Sequence, residues 1–144
     1  MVKKIFILPV ILNAFIFANS GILNVGFDID DTILFSKDVF QSIPDDKRDP
    51  IDYGWVNEQD AKLSIYIDPT VELINYFVYN GHNLFFITAR SGENGESLAR
   101  FLSSGLHLDV KVNDNLFFCP NETINGIKYT TKDRKMVSLK LDLF

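Results

Sequence analysis

The feature that most constrains this chain is the passage from Ile22 to Thr32, where an apolar run ends abruptly in acid. Ile22 to Phe27 is mostly apolar, with β-branched residues and one glycine, and reads as a short strand buried on both faces. Asp28, Asp30 and Asp31 follow at once. In extended chain, Asp28 and Asp30 project from the same side of the strand end. Carboxylates that close repel each other, and each resists ionising unless a cation is present. A hard divalent ion with oxygen ligands, Mg²⁺ above all, is the simplest partner. Strand ends of this kind are also where open α/β sheets place their ligands.

The rest of the chain alternates helix and strand patterns. Ser42 to Pro50 is polar and carries two prolines, hence a loop. Asp68-Pro69-Thr70 opens a helix, with Asp68 as N-cap and Pro69 at the first helical position. Val71, Ile74, Phe77 and Val78 give that helix an apolar face, and Asn80-Gly81 ends it. Leu84 to Ile87 is a second buried strand, closing on Thr88-Ala89-Arg90. His82 precedes that strand, away from its functional end, and is read as structural or solvent-exposed. Glu96 to Leu106 is a further helix, with Gly105 weakening its last turn. Val110–Val112 and Asp114–Phe118 are short strand candidates, and Asn125-Gly126 marks a hairpin. Thr131 is a plausible cap for a final helix bearing Lys132 and Lys135.

With 144 residues the chain is long enough for one domain with a real core. Its formal charge of −5 disfavours nucleic acid polymers and anionic lipid as main partners. Cys119 is the single cysteine, so an intrachain disulfide is excluded; a buried thiol is expected. Residues 1–20 read as a secretory leader: Lys3 and Lys4, then an apolar stretch, then Ala18-Asn19-Ser20 as a cleavage site. The apolar stretch is short for a membrane span, which needs about 20 residues. A first core helix and an uncleaved anchor are the competing readings. A cleaved leader implies a periplasmic or secreted domain over 21–144, with no stable membrane association.

Asp28-Ile29-Asp30-Asp31-Thr32, continued by Leu34-Phe35-Ser36, resembles the first motif of the haloacid dehalogenase superfamily. In detail it is most similar to the secreted class B acid phosphatases. The resemblance implies an α/β fold: a doubly wound, mainly parallel sheet with a small cap insertion at about 37–66. It implies a Mg²⁺-dependent phosphatase acting on small phosphomonoesters, including nucleotides, with possible homo-oligomers. Asp28 would be the nucleophile and Asp30 the acid and base. Metal would bind the Asp28 carboxylate and the Asp30 carbonyl. Thr88, with Ala89, would hold phosphoryl oxygens, as would a lysine. Lys132 follows Thr131 in the family's manner and is chosen, with Lys135 in reserve. In the cap, Phe40 and Trp55 either stack on an aromatic leaving group or pack the cap onto the core. Packing is favoured for Trp55 and Phe40 is left open. Arg90 either orients its loop or reaches the substrate.

The resemblance also implies a fourth motif, an acidic pair after one more strand. Leu139 to Phe144 reads as the start of that strand, and Asp142 comes too early to be assigned. The expectation is a truncated chain lacking the core's last strand and helix. An inactive relic or weak phosphate-binding secreted protein, and a phosphotransferase to other alcohols, are the competing functions.

Overall fold

The computed structural model describes residues 21–144 apart from Thr130. The leader reading of residues 1–20 lies outside the described residues. In chain order the elements are β1 (Asn24–Phe27), β2 (Leu34–Phe35), α1 (Lys37–Gln41), α2 (Tyr53–Leu63), β3 (Ile65–Tyr66), α3 (Asp68–Tyr79), β4 (Asn83–Thr88), α4 (Gly95–Leu106), β5 (Leu116–Phe118), β6 (Glu122–Ile124), β7 (Ile127–Tyr129) and α5 (Lys132–Ser138).

The central sheet runs β1-β4-β5, all parallel, with Gly26 opposite Phe85 and Ile87 opposite Phe117. Parallel strands need crossovers, and helices supply them. Alternation along β4 divides the interior. Phe86 joins Val25, Phe27, Ile74, Leu98 and Leu102 on one side. Phe85 and Ile87 join Phe117, Cys119, Met136 and Leu139 on the other. Helices therefore cover both faces, as the α/β expectation required. Ile74 is the buried anchor of α3, and burying such a side chain contributes about 1.5–3 kcal/mol.

Beyond α5 the chain returns to β1. Leu143 bridges Val25 in parallel, and the Gly26 amide donates to the Leu143 carbonyl at 2.9 Å. A Cβ on Gly26 would lie 2.5 Å from Leu141 and 2.6 Å from Phe144, so only glycine admits this segment. The strand expected from Leu139 to Phe144 is thus present as this one bridge. Asp142 accepts from the Asn24 amide at 2.8 Å, at the amino end of β1 and far along the strand from Asp28.

Several local expectations shift. α3 starts one residue early: Ile67 is the N-cap, its carbonyl taking the Thr70 and Val71 amides, and the Asp68 side chain makes no cap bond. Val110–Val112 is not a strand; only Val112 bridges, to Leu116. Thr131 occupies the N-cap of α5, but its hydroxyl donates to the Pro120 carbonyl at 2.9 Å instead of capping. Gly105 has a packing reason: a Cβ there would sit 2.2 Å from the Tyr66 ring, whose hydroxyl donates to the Phe101 carbonyl at 2.8 Å. Of the two readings of His82, the structure gives the structural one: its Nδ1 accepts from the Leu23 amide at 3.2 Å. The Asn125-Gly126 hairpin forms as β6 and β7, with φ of 52° and 78° at the turn.

Candidate active site

The carboxyl end of β1 breaks into a tight turn. The Ile29 carbonyl accepts the Ile33 and Leu34 amides, both at 3.0 Å, and Asp31 takes a left-handed φ of 55°. Ile29 itself is fully buried and pins the turn to the core. The flanking Asp28 and Asp30 remain partly open, at 33% and 28% side-chain exposure, so both are reachable from solvent.

Lys132, the first residue of α5, lays its Nζ 2.5 Å from Asp28 Oδ2. The other Asp28 oxygen accepts the Ile29 amide at 2.8 Å, which fixes the carboxylate plane. Lys135 goes elsewhere: its Nζ lies 4.4 Å from the centre of the Phe117 ring. Of the two lysines weighed from sequence, the structure brings Lys132 to Asp28.

Thr88 ends β4, fully buried. Its hydroxyl lies 3.5 Å from Asp30 Oδ2 and accepts the Arg90 amide at 3.2 Å. Ala89 follows in the same loop. Arg90 is buried, at 1% exposure. Nε and Nη2 grip the two Asp30 oxygens at 3.0 and 2.6 Å. Nη1 donates to Asn57 Oδ1 at 3.0 Å and to Asp60 Oδ2, and Nη2 reaches Asp60 Oδ1 at 3.3 Å. A guanidinium has five N–H donors, and each now has an acceptor. Of the two roles expected for Arg90, this geometry supports orienting the loop, because no donor remains for a substrate oxygen.

Charge follows geometry. Burial alone would push the Asp30 carboxyl up; the Arg90 guanidinium, with help from Ser36 and Lys132, outweighs it and holds Asp30 below the ordinary carboxylate range. Burial likewise opposes the Arg90 charge, and Asp30 and Asp60 more than restore it. Asp28, Asp30 and Asp60 against Lys132 and Arg90 leave this set one negative charge in excess.

The segment between β2 and β3 packs over this end of the sheet. Val39, Ile43 and Val56 form its small core, against which Phe40 and Trp55 both pack. Trp55 therefore packs, as favoured. Phe40 also stands 5.6 Å above the Arg90 guanidinium, between cap and site.

Oxygen donors suit Mg²⁺, which keeps several of its waters and needs few protein ligands. The Asp28 carboxylate and the Asp30 carbonyl are hard donors of that kind. Among the described residues no group of three or more acidic, histidine or cysteine side chains gathers to hold a metal.

Two residues of this cluster escaped the sequence reading: Asn57 and Asp60. They are polar, buried, and three positions apart on α2. The signal was available in principle, since an arginine following a buried strand needs a carboxylate partner.

Comparison with known proteins gives the family. The model of the HAD superfamily, subfamily IIIB (Acid phosphatase), matches residues 8–141. The class B acid phosphatase of Morganella morganii is 30% identical over 121 residues, covering 78% of this chain and 51% of the relative. That of Xenorhabdus bovienii is 30% identical over 102 residues, covering 65% and 43%. That of Aggregatibacter actinomycetemcomitans is 31% identical over 121 residues, covering 78% and 48%. The chain spans about half the length of the curated relatives it matches. With the family model matching nearly its whole length, the chain belongs to subfamily IIIB of the HAD superfamily, the acid phosphatase subfamily.

Proposed function

We propose that the protein is a Mg²⁺-dependent phosphatase of small phosphomonoesters, nucleotides among them, working through an aspartyl-phosphate. The observation that carries the reading is the Lys132–Asp28 contact at 2.5 Å, beside a second carboxylate at the same strand end. A nucleophilic carboxylate must meet a phosphate dianion, and an ammonium on its flank offsets their repulsion.

Asp28 attacks phosphorus; the ester P–O bond breaks, and its electron pair goes to the leaving oxygen. Asp30 rests as the carboxylate; it takes up a proton as the phosphomonoester binds, gives it to that oxygen and releases the alcohol. As carboxylate, Asp30 then takes a proton from water as the water oxygen attacks phosphorus and the bond to Asp28 breaks. The loop at Ala89 and Lys132 hold the phosphoryl oxygens, joined by Thr88 once its hydroxyl turns from Asp30 to the substrate. Phe40 borders the leaving group. Mg²⁺, when bound by the Asp28 carboxylate and the Asp30 carbonyl, supplies positive charge between nucleophile and phosphate.

We place the protein in the periplasm or outside the cell, by the leader reading of residues 1–20. No helix among the described residues is long and apolar enough to cross a membrane. A homo-oligomer is part of the proposal, by family resemblance alone. The Arg90 fork, which holds Asp30 as carboxylate at rest, favours a second reading, in which the site binds phosphate without turning over.

The deciding test is phosphomonoester hydrolysis by the purified protein, with and without Mg²⁺, beside Asp28→Asn. Mg²⁺-dependent turnover that Asp28→Asn abolishes is expected. A folded protein with no turnover overturns the enzyme reading, and phosphate binding without turnover establishes the second.

A further inference from the structure

We propose that Asn57 and Asp60 on α2 are positioning residues for the hydrolysis, acting through Arg90 to aim the Asp30 carboxyl. The inference rests on the reading of Asp30 as proton donor and acceptor.

Arg90 has two working edges. Its Nε and Nη2 meet Asp30 as a two-point fork, which fixes the carboxyl plane as well as its place. Its Nη1 edge is held by Asn57 and Asp60. Those two are themselves held. Asn57 Nδ2 donates to the Ser91 and Glu93 carbonyls at 3.3 and 2.8 Å, which turns its oxygen toward Arg90. Asp60 Oδ1 also accepts the Ser64 hydroxyl at 2.7 Å. The chain of contact therefore runs from the cap helix and the loop after β4, through one buried guanidinium, to a carboxyl open on the catalytic side.

Stability alone is a poor reason for this arrangement. A buried ion pair gains little over apolar residues of the same volume, because desolvating the charges offsets their attraction. What the five hydrogen bonds supply is direction. In the first half-reaction the ester oxygen leaves with the bonding pair and needs the Asp30 proton along a narrow approach. A donor displaced by about 1 Å costs on the order of 100-fold.

The test uses Asp60→Asn and Asn57→Ala with two readouts. The first is kcat/KM, which reports events up to phosphoryl transfer to Asp28, for an alkyl phosphate and for p-nitrophenyl phosphate. Nitrophenolate leaves without a proton and an alkoxide does not. Alkyl phosphate should lose about 100-fold and p-nitrophenyl phosphate far less. Equal losses on both substrates would mean a merely structural role and overturn the proposal. The second readout is hydrogen exchange of the Arg90 Nε–H by NMR. That proton bonds only to Asp30, and neither variant touches it. Its exchange should quicken by about tenfold in each variant as the fork loosens. Unchanged exchange overturns the proposal, and this arm needs no turnover. Absence of hydrolysis in the parent protein would sink the phosphatase reading instead.

Discussion

Lys132 Nζ and Asp28 Oδ2 meet at 2.5 Å across 104 positions of sequence. The contact joins the first described strand to the last helix, so the electrostatics at Asp28, the proposed nucleophile, depend on segments far apart in sequence folding together. Lys132→Ala should lower kcat by about 100- to 1,000-fold, the usual loss of one preorganised donor. Lys135→Ala should leave kcat close to the parent value, because that ammonium faces the Phe117 ring. Steady-state kinetics on both variants checks the assignment, and the reverse ranking would refute it.

Arg90→Met should unfold more easily in urea by about 3–5 kcal/mol, since Asp60 would stay buried without its cation. Asp30 can turn to water and bears less of the cost. A loss below about 1 kcal/mol would show that Asp60 finds another partner or protonates.

Tyr66 is pushed up to about 12, by burial first and then by the negative charge of Asp60. A raised folded value means that the tyrosine's contribution to stability is complete below its unfolded value near 10. That contribution is lost as pH rises toward 12. Absorbance titration should show one late tyrosine, and Asp60→Asn should bring it earlier. Asp30 has the opposite sign. Its depressed folded value supplies stability above the unfolded carboxylate range, and that stability disappears as acid protonates it. Urea midpoints measured between pH 5 and pH 3 should therefore fall, and should fall less in Asp30→Asn.

Gly105→Ala tests two opposed effects. Alanine gains about 1 kcal/mol of helix propensity over glycine. The new methyl would meet the Tyr66 ring at 2.2 Å, and such overpacking costs about 1–3 kcal/mol. The clash should win and the urea midpoint should drop; a rise would show that the ring moves aside freely.

Much of this was legible in the sequence because it rests on local patterns. The apolar run before Asp28, the apolar run before Thr88 and the helix face through Ile74 each declare themselves within a short window. The Thr131-Lys132 pair favours Lys132 over Lys135, and the structure adds the contacts that separate them. What stayed hidden depends on contacts between distant segments. Asn57 and Asp60 lie on a helix with little apolar contrast between its faces, so no periodicity marks their burial. Their partner is Arg90, some thirty positions on. The start of α3 was misplaced by one residue because the Ile67 carbonyl, and not the Asp68 side chain, accepts the first free amides. Gly105 weakens its helix locally, and the Tyr66 ring that needs the space comes from a distant segment.

Val39, Ile43 and Val56 are the fully sequestered apolar residues of the segment that carries Phe40. Three side chains bury too little surface to offset the conformational entropy of some thirty residues. This segment is therefore a tenant of the domain, and its lease is largely polar, signed at Arg90, Ser91 and Glu93. Amide protons of Tyr53–Leu63 should exchange through a sub-global opening that leaves β1 and β4 closed. The Phe40 side of the site would then open and shut with a local unfolding unit, while the parallel sheet beneath it stays intact.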